Sequence, residues 1–167
     1  MEETLVILKP DSVKRNLIGE IIKRYEDEGL EIKNMKFIEN CEELIKKHYP
    51  DDEDYIVSLG KKSMKGSGDS DIDPKKRGKE VILALREYMT SGPVIPIIFT
   101  GENAIKRVRK VTGYTDPSEA DEGTIRGDLS NDSIEVSTEE KRAVRNLVHA
   151  SGDPKEAKEE IDLWFGE

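Results

Sequence analysis

The sequence predicts an α/β (α+β) fold of the ferredoxin-like kind, a split β-α-β sandwich whose four-stranded antiparallel sheet is covered by helices. Three observations predict it. Four short apolar runs suit strands, segments of helical periodicity alternate with them, and the connections are long, giving the order β-α-β-α-excursion-α-β-α-loop-β-α. A chain of 167 residues is one ordinary domain, and at that size roughly 70% of the unfolded surface is buried on folding. We therefore expect residues 1–167 to form a single domain carrying an inserted polar excursion at about 50–79.

The elements follow in order. "TLVILK" (4–9) is a compact apolar run suited to a buried strand. Ile18, Ile21, Ile22 and Tyr25 recur at helical spacing, and Gly29 follows as the residue that ends the helix in a left-handed conformation. Residues 30–39 alternate with a slip of phase near Asn34, which predicts a second strand with a bulge. A short helix covers 42–48 and stops at Tyr49-Pro50. Residues 51–79 are polar and rich in Gly, Ser, Asp and Lys, so a surface excursion with one helical turn at 55–59 is expected. Helical spacing returns at 80–89. The run 93–100 is a strand whose Pro96 points to an edge or a bulge. Ile105, Val108 and Val111 share one face of a helix ending at Gly113. Residues 114–138 read as a long loop, 139–144 as a short helix and 145–150 as the fourth strand. Asp153 and Pro154 are the cap and first turn of a last helix with Ala157, Ile161 and Trp164 in register.

Composition narrows the function. With 36 acidic against 27 basic residues the formal charge is −9, which repels the phosphate backbone of nucleic acids and anionic membranes; neither is expected as a partner. No apolar stretch approaches the ~20 residues of a membrane span. The acidic start runs directly into a strand pattern rather than into a leader peptide. The lone Cys41 fits a reducing compartment, so a cytoplasmic protein is expected.

His149 closes the fourth strand just before the last helix begins. Such an imidazole is ordinarily a hydrogen-bonded structural group. Here, however, the following helix carries Glu160 on a rim near its buried stripe, where a carboxylate can fold back toward the strand end. A carboxylate bonded to one ring nitrogen fixes the tautomer and leaves the other as a nucleophile. Phosphoryl chemistry further needs cations against the phosphate oxygens. Lys9 ends the first strand, Arg109 lies on the "AIKRVRKV" helix and Arg126 sits in "GTIRGD". One other motif is set aside. Asp69, Asp71, Asp73 and Glu80 occupy positions 1, 3, 5 and 12 of a calcium loop, but Pro74 stands where glycine is required and Lys76 where an apolar residue belongs.

Taken together, "LVILKPDSV", "YMTSGPV", "GYTDPSEADEGTIRGD" and "NLVHAS" resemble the motifs of the nucleoside diphosphate kinase family over about residues 3–49 and 80–165. The resemblance implies an enzyme that passes the terminal phosphoryl group of ATP to a nucleoside diphosphate through a phosphohistidine, by a ping-pong route. His149 falls on the phosphorylated histidine, Glu160 on the carboxylate that orients it and Ser151 on the serine that supports the glutamate. Lys9, Tyr49, Arg109, Thr115, Arg126 and Asn146 fall on the family's phosphate and sugar contacts. The resemblance implies Mg²⁺ carried on the nucleotide phosphates, with no protein metal ligands. It also implies a homo-oligomer, a hexamer rather than a tetramer, with the loop 111–128 near the subunit contacts.

Several positions depart from the family pattern. The segment 50–79 and the stretch between Arg126 and Asn146 are longer than usual. Val81 stands where an aromatic ring stacks on the base, which leaves Tyr55 as a candidate substitute. Gly152-Asp153 replaces Asp-Ser beside the histidine. The competing expectation is a nucleotide-binding regulator on the same fold with its catalysis lost.

Overall fold

A computed structural model describes residues 1–67 and 71–166. The chain runs β1 (Glu2–Leu8), α1 (Pro10–Lys14), α2 (Ile18–Asp27), β2 (Glu31–Met35), α3 (Glu42–His48), α4 (Glu53–Ser67), α5 (Pro74–Met89), β3 (Ile95–Gly101) and α6 (Ala104–Thr112). A 3₁₀ turn (Pro117–Glu119), α7 (Ile125–Leu129), α8 (Ile134–Glu139), β4 (Val148–Ala150) and α9 (Pro154–Phe165) complete it. The sheet is antiparallel with strand order β2-β3-β1-β4, the ferredoxin-like arrangement read from the sequence.

β1 explains why its sequence is a continuous apolar run instead of an alternating one. Val6 and Leu8 pack on one face with Tyr25, Phe99 and Val108, and Leu5 and Ile7 pack on the other with Ile45, Met89 and Trp164. Both faces are covered, so no position in the strand tolerates a polar group without a partner. The two apolar layers lie under α2 and α6 on one side and under α3, α5 and α9 on the other. His149 pairs with Ile7 across the β1–β4 ladder, which places it on the α3–α9 side.

Gly29 and Gly113 have φ of +77° and +90° and end α2 and α6 where expected. The register shift in β2 falls between Ile32 and Asn34, at the position of the phase slip. Pro96, by contrast, lies in an interior strand. Lys36 N donates to its carbonyl at 3.1 Å, but proline has no N–H to return the bond. The β2–β3 ladder therefore ends at Met35–Ile97 and resumes only as a single bridge between Ile38 and Val94.

The excursion is the largest correction. The described residues of 51–79 are mostly helical: α4 and the start of α5 form an antiparallel hairpin, far more than one turn. Two glycines that read as loop residues are contact residues instead. A Cβ on Gly60 would lie 1.8 Å from the Pro74 carbonyl oxygen, and one on Gly78 would lie 1.9 Å from that of Ile56. Each glycine lets the facing backbone close in. Asp73, a member of the rejected calcium pattern, is the N-cap of α5 and accepts from Lys75 N. Asp69 of that pattern lies outside the described residues.

The region 114–138 also holds more structure than a loop: the 3₁₀ turn, α7 and α8. The short helix expected at 139–144 is displaced to Ile134–Glu139 because Ser133 caps it, accepting from Val136 N. The fourth strand begins only at Val148, since Leu147 has φ of +71°, outside the extended region.

Replacing Gly60 or Gly78 with alanine raises intrinsic helix propensity yet should destabilise the protein by about 1–3 kcal/mol through overpacking. Chemical denaturation checks this; a stabilised Gly60→Ala variant would contradict the close approach.

Candidate active site

The site is assembled at the ends of β1 and β4. Leu147 holds its left-handed backbone through three bonds. Lys9 N and Ser12 Oγ donate to its carbonyl at 2.9 and 2.6 Å, and its N–H donates to Asp11 Oδ2 at 3.1 Å. A non-glycine residue in that region costs on the order of 1–3 kcal/mol and persists only where its surroundings fix it. Here the fixed bend lies between Asn146 and His149, two of the residues singled out from the sequence.

α9 starts with Asp153 accepting from Glu156 N at 2.9 Å, while Glu156 Oε2 accepts from Gly152 N at 2.6 Å. The Gly152-Asp153 departure therefore still gives the helix start a side-chain cap. The buried stripe of α9 is Ala157, Glu160 and Trp164, with Ile161 only partly buried. Glu160 is thus in the middle of the stripe rather than on its rim. Its Oε1 lies 2.8 Å from His149 Nε2, and its Oε2 accepts from Ser151 Oγ at 2.5 Å. Burial would push the Glu160 carboxyl up. The charge and hydrogen bond of His149, the nearby His48 and the Ser151 hydroxyl outweigh that and hold it below its ordinary value. The carboxylate occupies Nε2, so Nδ1 of His149 is the ring nitrogen with no partner among the described residues, and the side chain is 17% exposed.

Cations lie at the same ends of β1 and β4. Lys9 is buried and donates to Asn146 Oδ1 at 2.7 Å, and its ammonium lies 5.2 Å from the centre of the Tyr88 ring. Burial, then the Arg126 charge, lower its pKa to about 7, with Asp11 opposing. Arg126, also buried, spends its guanidinium on backbone carbonyls: Asn146 at 3.1 Å, Gly113 at 3.1 Å and Val148 at 2.6 Å. Burial chiefly lowers its pKa to about 10, Arg109 adding to the effect. Among the described residues neither cation has a carboxylate within ion-pairing distance. Arg109 is exposed, and its guanidinium lies 3.8 Å from where a Cβ on Gly152 would be. Asn146 donates from Nδ2 to the carbonyl of Thr115, itself exposed, at 3.0 Å.

Tyr49 is buried with its ring 4.6 Å from that of His48. Tyr55, half-buried on α4, feels the charges of Glu156 and Glu160, so the helical hairpin borders the site. Val81 is half-buried on α5, and its neighbour Ile82 fills the core. Three contributors were not singled out from the sequence. These are Asp11, which anchors Leu147, Trp164 as a donor, and His48, whose ring meets that of His149 edge-on at 4.7 Å. Nothing in the spacing of His48 distinguishes it from any other residue at a helix end.

The carboxylate-held histidine and the buried cations thus share one end of a ferredoxin-like sheet. Comparison with known proteins gives the family. A family model described as nucleoside diphosphate kinase matches residues 2–67 and 70–167. A nucleoside diphosphate kinase of Pyrobaculum aerophilum is 44% identical over 176 aligned residues, covering all of this chain and 96% of the relative. An NDP kinase structure from Pyrobaculum aerophilum superposes with a TM-score of 0.91 at 43% identity, covering 98% of this chain and 95% of that one. A transition state mimic of the Borrelia burgdorferi nucleoside-diphosphate kinase with bound vanadate and ADP gives 0.83 at 35% identity, covering 98% and 86%. The chain belongs to the nucleoside diphosphate kinase family, an enzyme family of phosphotransferases.

Burial, then the charge of His149, lower the His48 pKa from 6.5 to about 3. The unfolded chain takes up this proton below about pH 6.5 and the folded one does not, so His48 removes stability as pH falls from 6.5 toward 3. Its ring resonances should stay flat between pH 8 and 5 in an NMR titration; a midpoint near 6.5 would contradict the burial.

Proposed function

We propose that this enzyme transfers the terminal phosphoryl group of a nucleoside triphosphate, ATP, to a nucleoside diphosphate through a phosphohistidine at His149. The observation that carries the reading is the pairing of His149 Nε2 with Glu160, which leaves Nδ1 for the phosphoryl group, together with Lys9 and Arg126, which have no carboxylate partner among the described residues. The lone pair on Nδ1 attacks the terminal phosphorus. The N–P bond forms as the bridging P–O bond breaks, and its electrons leave on the ADP oxygen. Glu160 keeps the proton on Nε2 and stabilises the charge that develops in the ring, with Ser151 holding the other carboxylate oxygen. A terminal oxygen of the second nucleoside diphosphate then attacks the phosphorus, and the N–P electrons return to Nδ1. One site thus serves two half-reactions, the hallmark of ping-pong kinetics.

Arg109, Arg126 and Thr115 hold phosphates in this reading, Lys9 and Asn146 face the phosphates and ribose, and Tyr49 packs behind them. Burying a cation without a counter-charge is unfavourable, and an incoming polyphosphate supplies that charge. Glu160 is already committed to His149 and Ser151, and the remaining donors are cationic or neutral. That set fits Mg²⁺ held by nucleotide oxygens rather than by protein carboxylates. When bound there, the ion supplies charge neutralisation on the phosphates.

The same proposal includes action in the cytoplasm and assembly of identical subunits, a hexamer over a tetramer. Among the described residues no helix is long and apolar enough to cross a membrane. The edge strand β2 is exposed along its length, with Ile32 and Met35 uncovered and Phe37 exposed just beyond it, which supports a second copy packing nearby.

Incubation with γ-labelled ATP should leave an acid-labile, base-stable label on the protein, absent from His149→Ala. A His149→Ala variant with near-normal turnover would refute the reading, and an unlabelled wild-type protein would favour the regulator instead. Phosphate binding should also raise the Lys9 pKa from about 7. ADP affinity should therefore weaken as pH rises through 7, with proton uptake on binding, measurable by calorimetry in buffers of different ionisation enthalpy.

A further inference from the structure

His48 ends α3 with its side chain 2% exposed, between Tyr49, Trp164 and His149. Trp164 Nε1 lies 3.2 Å from His48 Nδ1. An indole nitrogen only donates, so Nδ1 must accept and carries no proton. A neutral imidazole has one N–H, which places it on Nε2. That atom faces Glu160 Oε1 at 3.7 Å, beyond hydrogen-bond length but within reach of the N–H dipole. The same oxygen is the one bonded to His149 Nε2.

We propose that His48 is a positioning residue for the His149 reaction: a neutral imidazole, locked in one tautomer by Trp164, that aims a second N–H at the Glu160 carboxylate and backs the His149 ring. The proposal rests on His149 being the phosphoryl carrier. Two N–H dipoles facing one carboxylate oxygen make Glu160 a weaker base. The proton then stays on His149 Nε2, and Nδ1 keeps its lone pair. The edge-on contact between the imidazoles also limits rotation of the His149 ring away from its attacking orientation.

A metal is the other use for such a cluster, since the ligand atoms of His48, His149 and Glu160 all lie within 4.8 Å of one another. Ligation through His48 Nε2 would move its proton to Nδ1, directly against the Trp164 N–H. The indole therefore favours the donor role.

Glu160 is faced by His149 in β4 and Ser151 just after it, by His48 and Tyr49 at the end of α3, by Tyr55 on α4 and by Glu156 one turn earlier on its own helix; Lys9 acts on His48. Burial raises both tyrosine hydroxyls, so neither ionises in the working range. The acid limb of the rate profile therefore reports Glu160, whose carboxylate must stay ionised to hold the ring. Without the His48 N–H, Glu160 becomes more basic, takes up a proton at higher pH, and the limb moves upward.

The test measures single-turnover phosphorylation by ATP and steady-state KM between pH 5 and 8 in His48→Leu and His48→Gln. His48→Leu should slow phosphorylation about tenfold, as the loss of an outer partner typically does, with KM for ATP unchanged and the acid limb shifted up. His48→Gln can accept from Trp164 and donate to Glu160, so it should restore rate and limb. An unmoved limb in a folded His48→Leu, or equal losses in both variants, overturns the proposal. If His48→Leu does not fold, Trp164→Phe frees the tautomer and must move the limb the same way, or the proposal fails. Absence of any acid-labile phosphoenzyme in the wild-type protein would instead sink the parent reading.

Discussion

The structure is organised around buried charge that the fold keeps separated. Glu160, Lys9 and Arg126 are all nearly enclosed, yet the carboxylate bonds to His149 and Ser151 while the cations bond to carbonyls and an amide. Ion pairing among them would be the cheaper arrangement for stability alone. Holding them apart leaves an imidazole with a fixed tautomer on one side and uncompensated positive charge on the other. In the function proposed above, a polyphosphate completes the electrostatics of that arrangement.

The separation is maintained by backbone. β4 is only three residues long, but its pairing with β1 sets His149 opposite Ile7 and brings Lys9 alongside Leu147. The bend at Leu147 then lies between Asn146 and His149. Upstream, the connection between α7 and β4, which includes α8, is tied down by Arg142, which donates to both oxygens of Asp132 at 2.6 and 2.9 Å. Asp132 in turn accepts from Arg145 N, one residue before Asn146. This longer connection is therefore a strut behind the site, not slack chain.

The helical hairpin of α4 and α5 extends the same logic. Its sequence looks polar and flexible because most of its surface faces water and because two of its glycines are there for contact. Once paired, it carries Ile56 and Ile82 into the α3–α9 layer and sets Tyr55 near the acidic end of the site.

Much of this was legible in the sequence. Continuous apolar runs gave the buried strands, helical spacing gave α2, α6 and α9, and Gly29 and Gly113 gave the helix ends, because local patterns report local backbone preferences. The motif residues His149, Glu160, Lys9, Arg126 and Asn146 were singled out from the chain and are brought together in space. The hairpin, the position of Pro96 at a ladder break, the left-handed Leu147 and the place of Glu160 at the centre of its stripe were decided by tertiary contacts. So was the involvement of His48, 112 residues and several elements away from Glu160 along the chain. Its tautomer depends on an indole from α9 and its neutrality on enclosure by three elements, and neither leaves any trace in local sequence.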